Sequence, residues 1–260
     1  MATFINEYLE QLETQWKEVD ILIDSANRCE NSDPELFNAI CRSTSVLIVA
    51  HMEGFIKDLA KNLIRDLNSN REFRDLPRAI QKTCCQGYLG FDVGAIPRYQ
   101  DSIDDMILHL SDCTGYKLVP ESFLFDKNRN PKPDSIQEVF KRFGHSDIFK
   151  SLHNSIFDEA FESDARLQRL LVVAQYFLKR KVSTFPFRVS IHKFNLGKNK
   201  YNGRTLWQEF LDEINKVRHA IAHGNTFNND ENIRAIKTRR DKARLLQLVL
   251  VYVACCLVNK

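Results

Sequence analysis

The chain has 260 residues, a formal net charge of +3 and 43% hydrophobic residues. This length suits one large domain or two small ones, and the hydrophobic share is typical of a globular protein with a core. The small excess of positive charge neither requires nor excludes nucleic-acid binding, so such binding would need a local basic patch. Only 9 Gly and 7 Pro occur, which favours long helices over many short strands.

The cysteines and the N-terminal residues indicate the cellular compartment in which the protein is expected. No two of the cysteines form a Cys-x-x-Cys pair, which argues against a zinc ribbon, and we interpret them as reduced thiols of a cytoplasmic protein. The amphipathic, acidic start does not resemble a signal or transit peptide. The most apolar stretch, residues 245–258, is too short to span a bilayer, so we expect no membrane role. The seven cysteines are Cys29, Cys41, Cys84, Cys85, Cys113, Cys255 and Cys256.

Two helices are predicted at the N-terminal end. Apolar residues at spacings of three and four predict the first over residues 5–26 and a long second one over residues 34–67. The second helix has two candidate caps. Either Asp33 caps it, with the following proline in the first helical position, or Ser32 and Glu35 form a capping box.

The region between residues 69 and 204 is less regular. A polar loop is predicted at 126–134, and the partly alternating residues 185–194 predict a short strand. Helices are predicted over 72–85 with a break at Pro77, over 101–110, over 135–143 with Asp134 or Ser135 as cap, and over 164–181.

Two more helices are predicted at the C-terminal end. Thr205 caps one that runs to about His223, and Gly224 ends it in the left-handed conformation. The last helix covers residues 231–258.

The predicted fold class is therefore mostly α. Residues 1–68 and 205–260 form a four-helix bundle. Residues 69–204 form a large, mainly helical insertion between the second and third bundle helices, as a subdomain of its own.

The segment best suited to chemistry is VRHAIAHGN, residues 217–225. It places Arg218, His219 and His223 at the end of a helix, where side chains reach solvent from a rigid support. His219 and His223 are four residues apart and share a helix face. Arg218 and His223 are five apart, which rotates them by about 140° on a straight helix. Either the last turn distorts or a second copy of the chain completes the site.

This string resembles the signature of the HEPN superfamily, an Arg followed by Asn, Asp or His, with a His separated from the Arg by four to six residues. It looks most like the MAE-type and RiboL-PSP-associated branch. The segment HMEGFIKDLAKNL, residues 51–63, resembles the apolar second helix of that branch with its embedded glutamate, here Glu53. The resemblance covers both ends of the chain well and the insertion only loosely.

The resemblance implies a metal-independent endoribonuclease without a cofactor. It also implies a homodimer whose two motifs face one cleft, acting on RNA in a toxin–antitoxin or anti-phage system, with an antitoxin or defence partner protein. Arg218 and His223 would then be catalytic, His219 supporting, and Glu53 a weaker catalytic candidate. The residue types fit, because an imidazole moves protons near neutral pH and a guanidinium grips phosphate oxygens. Attack by the RNA 2'-hydroxyl would leave a 2',3'-cyclic phosphate.

Basic residues elsewhere are candidates for holding the RNA backbone. The predicted substrate contacts are Lys198, Lys200, Arg204 and Asn225, and further basic groups lie at 179–181 and 239–244.

Plainer interpretations stand beside these. Basic runs are often solvated faces, Glu53 can be an ordinary salt-bridge partner, and cations are favoured at any helix C-terminus. His219 and His223 can form an HxxxH metal pair, although no third ligand is obvious. The chain can also be a non-catalytic HEPN module that binds RNA, a nucleotide or a protein, or a plain helical scaffold.

Overall fold

The computed structural model describes residues 2–94, 96–124, 131–196, 201–224 and 232–259, and within these ranges it contains helices and no strand. The α-helices of the described residues are α1 (Phe4–Cys29), α2 (Pro34–Asn70), α3 (Arg78–Leu89), α4 (Tyr99–Asp112), α5 (Pro133–Arg142), α6 (Ile148–Leu152), α7 (Asp164–Lys181), α8 (Leu206–Ala222) and α9 (Ile233–Val258). Short 3-10 helices lie at Phe73–Asp75, Pro120–Phe123, Ile156–Phe161 and Ile191–Phe194.

The predicted fold class is confirmed, with α1, α2, α8 and α9 as the four bundle helices and α3 to α7 between the second and third. Local caps explain where the bundle helices begin. Asp33 accepts a hydrogen bond from the Leu36 N–H at 3.0 Å, with a proline in the first helical position. Asp33 is therefore the cap of α2, and the alternative capping box of Ser32 with Glu35 is wrong.

The first two helices run antiparallel. Near the start of α1, the Ile5 N–H donates to the Asp66 carboxylate at 3.0 Å, close to the end of α2. Further along α1, the Trp16 ring lies edge-on to the His51 ring of α2, with 5.5 Å between centroids. Later residues of α1 thus meet earlier residues of α2.

Helix α9 runs parallel to α2. The Gln247 side chain accepts from the Trp16 indole N–H at 2.8 Å and donates to the His51 carbonyl at 3.3 Å, which joins α1, α2 and α9 in the core. Eight residues earlier in α9, Arg239 donates to the Ser45 hydroxyl at 3.4 Å. Both helices therefore advance in the same direction.

Helix α8 runs antiparallel to α9. Its Glu213 carboxylate lies 3.8 Å from the Arg239 guanidinium. Its Trp207 ring packs edge-on against Phe161 at 4.8 Å, and the Lys242 ammonium of α9 lies 4.3 Å from the centre of that same Phe161 ring. Since later residues of α9 meet earlier residues of α8, the C-terminal end of α8 lies where α2 and α9 begin.

Helix α7 belongs to the insertion by sequence and packs on the bundle in space. The Gln168 amide donates to Asp241 of α9 at 2.6 Å, and the Arg234 guanidinium of α9 donates to Asp164 at 2.9 Å. The division at 69–204 stays a prediction as a domain boundary, but α7 shares its hydrophobic core with the bundle.

The structure tests three of the predictions made for the insertion. The break at Pro77 is confirmed, because a 3-10 turn precedes it and α3 follows it. The strand at 185–194 is wrong: Pro186 has no N–H to donate to a ladder, and the segment forms bends followed by a 3-10 helix. The predicted caps Asp134 and Ser135 are also wrong, since α5 begins at Pro133. Residues 126–130 of the polar loop lie outside the described residues.

Helix α2, with 37 residues, has the length and apolar composition of a membrane-spanning helix. That is a weak indication, because the central helix of a folded domain passes the same test. Here α2 contacts α1, α8 and α9, which is the position of such a central helix. The absence of a membrane role stays a prediction.

Candidate active site

The N-terminal half of α8 is firmly anchored. The Thr205 hydroxyl accepts from the Gln208 N–H at 3.3 Å, while the Gln208 side chain accepts from the Thr205 N–H at 3.0 Å. This is a reciprocal capping box, which satisfies two backbone donors at the helix start. Behind it, α8 buries a run of large apolar side chains in the core, namely Trp207, Phe210, Leu211 and Ile214.

The C-terminal half of α8 is open. Past Asn215, α8 has no fully buried residue: Val217, Arg218 and Ile221 are half-buried, while His219 is exposed. The polar residues of the predicted motif therefore lie at the surface of a single chain, on a helix whose other half is fixed in the core.

The last turn of α8 tightens at the motif. The helix ends at Ala222, one residue earlier than predicted, and His223 lies outside helical geometry at φ −96° and ψ 7°. The Gly224 N–H donates to the Ile221 carbonyl at 3.1 Å, and Gly224 has a φ of +69°. The predicted left-handed glycine at this helix end is thus confirmed, and its missing Cβ is what makes the conformation inexpensive.

The two motif histidines share a face, as their spacing predicts. The His219 and His223 rings lie 4.2 Å apart between centroids, at 60° to each other. Both side chains are exposed, so both imidazoles can exchange protons with a bound substrate. In the described residues, no group of three or more His, Cys, Asp or Glu side chains is arranged to hold a metal ion.

Glu53 does not converge with the motif inside one chain. Arg239 contacts both Ser45 of α2 and Glu213 of α8, which marks one level of the bundle. Glu53 lies eight residues beyond that level in one direction, and Arg218 lies five residues beyond it in the other. At a rise of 1.5 Å per residue, the two positions are on the order of 20 Å apart along the bundle axis.

The predicted substrate contacts are mostly not located. Lys198, Lys200 and Asn225 lie outside the described residues. Arg204 precedes the start of α8 and pairs with the Asp212 carboxylate. It therefore sits at the opposite end of α8 from the motif, roughly 20 Å away along the helix at 1.5 Å per residue.

Sequence reasoning missed the placement of Arg239. The sequence places it in the basic group at 239–244, a candidate for holding RNA, yet it is buried, with 6% of its surface exposed. A signal was available, because Arg239 lies three residues after Ile236 and four before Ala243, which are both buried on the core side of α9.

A helical bundle with Arg-His-x-x-x-His at the end of its third helix defines a protein of the HEPN class. Comparison with protein families agrees: the model of the family described as RiboL-PSP-HEPN matches residues 10–256. The chain belongs to that family. No curated protein and no solved structure matches the chain.

Proposed function

We propose that this chain is a metal-independent endoribonuclease that works as a homodimer in the cytoplasm, as a toxin or an anti-phage defence effector. Membership of the HEPN family supports a nuclease or an RNA-binding module. The observation that favours the nuclease is the position of Arg218, His219 and His223 on the open end of a rigidly anchored helix.

Apolar side chains that a second copy could cover lie at the same level of the bundle as the motif. Because α8 runs antiparallel to α2, the end of α8 lies level with the first turns of α2. There Leu36 is 49% exposed, and Phe37 and Ile40 are only partly buried. On α8, Val217 and Ile221 are half-buried. A two-fold contact through this surface would bury these side chains and bring the two motifs into one cleft.

The chemistry needs proton transfer and a cation, and the motif supplies both. The His223 imidazole accepts the proton of the RNA 2'-hydroxyl as that oxygen attacks the adjacent phosphorus. The Arg218 guanidinium donates to the non-bridging oxygens and offsets the added negative charge. The 5'-oxygen then leaves and takes a proton from an imidazolium, the protonated His223 of the partner subunit. The products are a 2',3'-cyclic phosphate and a 5'-hydroxyl end.

The test compares wild type with His223→Ala on labelled RNA in the presence of EDTA. We expect wild type to cleave and to leave 2',3'-cyclic phosphate ends. Removing the imidazole should lower the rate at least about a hundredfold, the usual contribution of a general acid or base. The matched control is His109→Ala, which removes another exposed histidine near a helix end, in α4. Equal cleavage by wild type and His223→Ala, or no cleavage by wild type at any concentration, would contradict the proposal.

A second candidate function is a non-catalytic HEPN module that binds RNA, a nucleotide or a protein partner. The observation that favours it is a cation-lined groove between α8 and α9, which does not depend on the motif histidines. RNA binding without cleavage, unchanged in His223→Ala, would favour this alternative.

A further inference from the structure

A groove with a volume of ≈ 360 Å³ lies between α8 and the first turns of α9. We call it the α8–α9 groove. Helix α8 contributes one aromatic and one acidic side chain, and α9 contributes its N-cap and three cations. The side chains that matter below are Phe210, Glu213, Asn232, Arg234, Arg239 and Lys242.

The groove has more cations than carboxylates. Arg239 is almost fully buried, with its guanidinium 3.8 Å from the Glu213 carboxylate. Arg234 lies on the rim and pairs with Asp164 of α7 at 2.8 Å. One carboxylate on the wall thus faces three cations, and two of these cations already have carboxylate partners.

Among the described cations of the groove, Lys242 is the one without a carboxylate partner. It is half-buried, and its ammonium lies 4.3 Å from the centre of the Phe161 ring. Among the described residues, it has no hydrogen bond and no ion pair. Burial lowers the pKa of Lys242, while Glu213 and Asp164 act in the opposite direction. An anion entering the groove would pair with the ammonium and replace the water that burial has removed from it.

We propose that the α8–α9 groove binds a phosphate group of the RNA chain at a distance from the scissile bond, with Lys242 as its principal ligand. The position of Lys242 sets which phosphate this is. Lys242 and Trp207 of α8 contact the same Phe161 ring, and Trp207 precedes Arg218 by eleven residues, roughly 17 Å along α8. The phosphate at Lys242 therefore belongs to a neighbouring part of the RNA chain, separate from the linkage at the motif. The proposal rests on the proposed function, because it assumes that RNA is the substrate.

The experiment measures binding of a non-cleavable, 2'-O-methyl single-stranded RNA to the full chain over a range of salt concentrations. Lys242→Gln should weaken binding and reduce the slope of log affinity against log salt by about 0.7, the value for one lost phosphate contact on a single strand. Lys242→Arg should keep the wild-type slope. The matched control is Lys237→Gln, which makes the same charge change five residues away in α9, in a different cavity beside α1 and α7. That variant should bind as wild type does.

Three results would overturn the assignment. The first is a Lys242→Gln variant whose slope of log affinity against log salt equals that of wild type. The second is a Lys237→Gln variant that loses as much RNA affinity as Lys242→Gln, which would show a general charge effect. The third is Lys242-dependent binding of inorganic phosphate or ATP that RNA does not compete with, which would show that the groove binds a free anion. Thermal melts check that each variant is folded. If Lys242→Gln is not, Lys242→Met takes its place, because its side chain keeps the contact with Phe161.

The groove and the nuclease can fail separately. If wild type does not cleave RNA but RNA binding depends on Lys242, the nuclease proposal falls and the groove stands. If cleavage depends on His223 but binding ignores Lys242, the groove falls and the nuclease stands.

Discussion

The two halves of α8 differ in how much of their surface is buried. From Thr205 to Ile214 the helix is capped at its start and buries large side chains against α2 and the 156–161 turn. From Val217 to His223 it buries none completely and carries the polar motif. The first half holds the helix in place, and the second half exposes the motif to solvent. Changes in stability and changes in activity should therefore separate along this single helix.

The largest expected effect lies in the anchored half. Trp207→Ala removes a fully buried indole that packs against Phe161 and Phe210. It should lower the free energy of unfolding by about 3–5 kcal/mol, because the cavity left behind cannot fully collapse. Urea denaturation measures the loss.

The matched variant for Trp207→Ala is His223→Ala, in the open half of the helix. His223→Ala should keep the unfolding free energy within about 0.5 kcal/mol of wild type, as surface substitutions do. If Trp207→Ala were equally mild, the N-terminal half of α8 would not be the anchor, and the contrast between the halves would fail.

A smaller effect is expected at the open half, on assembly. Ile221→Asp places a charge on the apolar surface proposed for the second copy and should weaken the dimer by about 2 kcal/mol, the scale of an interface hot spot. Sedimentation velocity over a range of protein concentrations measures it. Leu108→Asp is the control, since Leu108 is 67% exposed on α4, away from the motif end. A monomeric wild type, or equal dissociation by the two variants, would show that this surface is not the interface.

The smallest effect concerns a half-buried histidine beside the core. His51 packs against Trp16, and burial lowers the pKa of its imidazole below the usual 6.5. The folded state then binds fewer protons than the unfolded state, so the stability contributed by neutral His51 is complete above pH 6.5 and is lost as the pH falls below it.

His51→Gln should therefore flatten the fall in stability between pH 6.5 and pH 5, measured by urea denaturation at each pH. His109→Ala should leave that pH dependence as it is in wild type. If both variants behave like wild type, the pH dependence belongs to other groups, and His51 does not contribute to it.

Local signals in the sequence were sufficient for most helix limits. Asp33, Thr205 and Gly224 act through the backbone of their own turn, so their roles follow from a few neighbouring letters. The segment at 185–194 shows the limit of such signals. A short alternating pattern predicts a strand, but Pro186 decides against it, and no strand to pair with occurs in the part of the chain that the structure describes.

The site divides in the same way. The shared face of His219 and His223 and the helix end at the motif follow from spacing and from one glycine. The burial of Arg239 and the distance of Glu53 from the motif depend on which helices are neighbours and in which directions they run. Those directions come from long-range contacts, such as Arg239 to Ser45, that no local pattern contains.

The length of α2 fixes the distance between the sites at its two ends. At 1.5 Å per residue, its 37 residues extend for about 55 Å without interruption. Its first turns lie beside the motif, while near its far end Asn68 exchanges two hydrogen bonds with the Leu118 backbone at 2.8 and 3.0 Å. A ligand that contacts both places at once must therefore extend over most of that length.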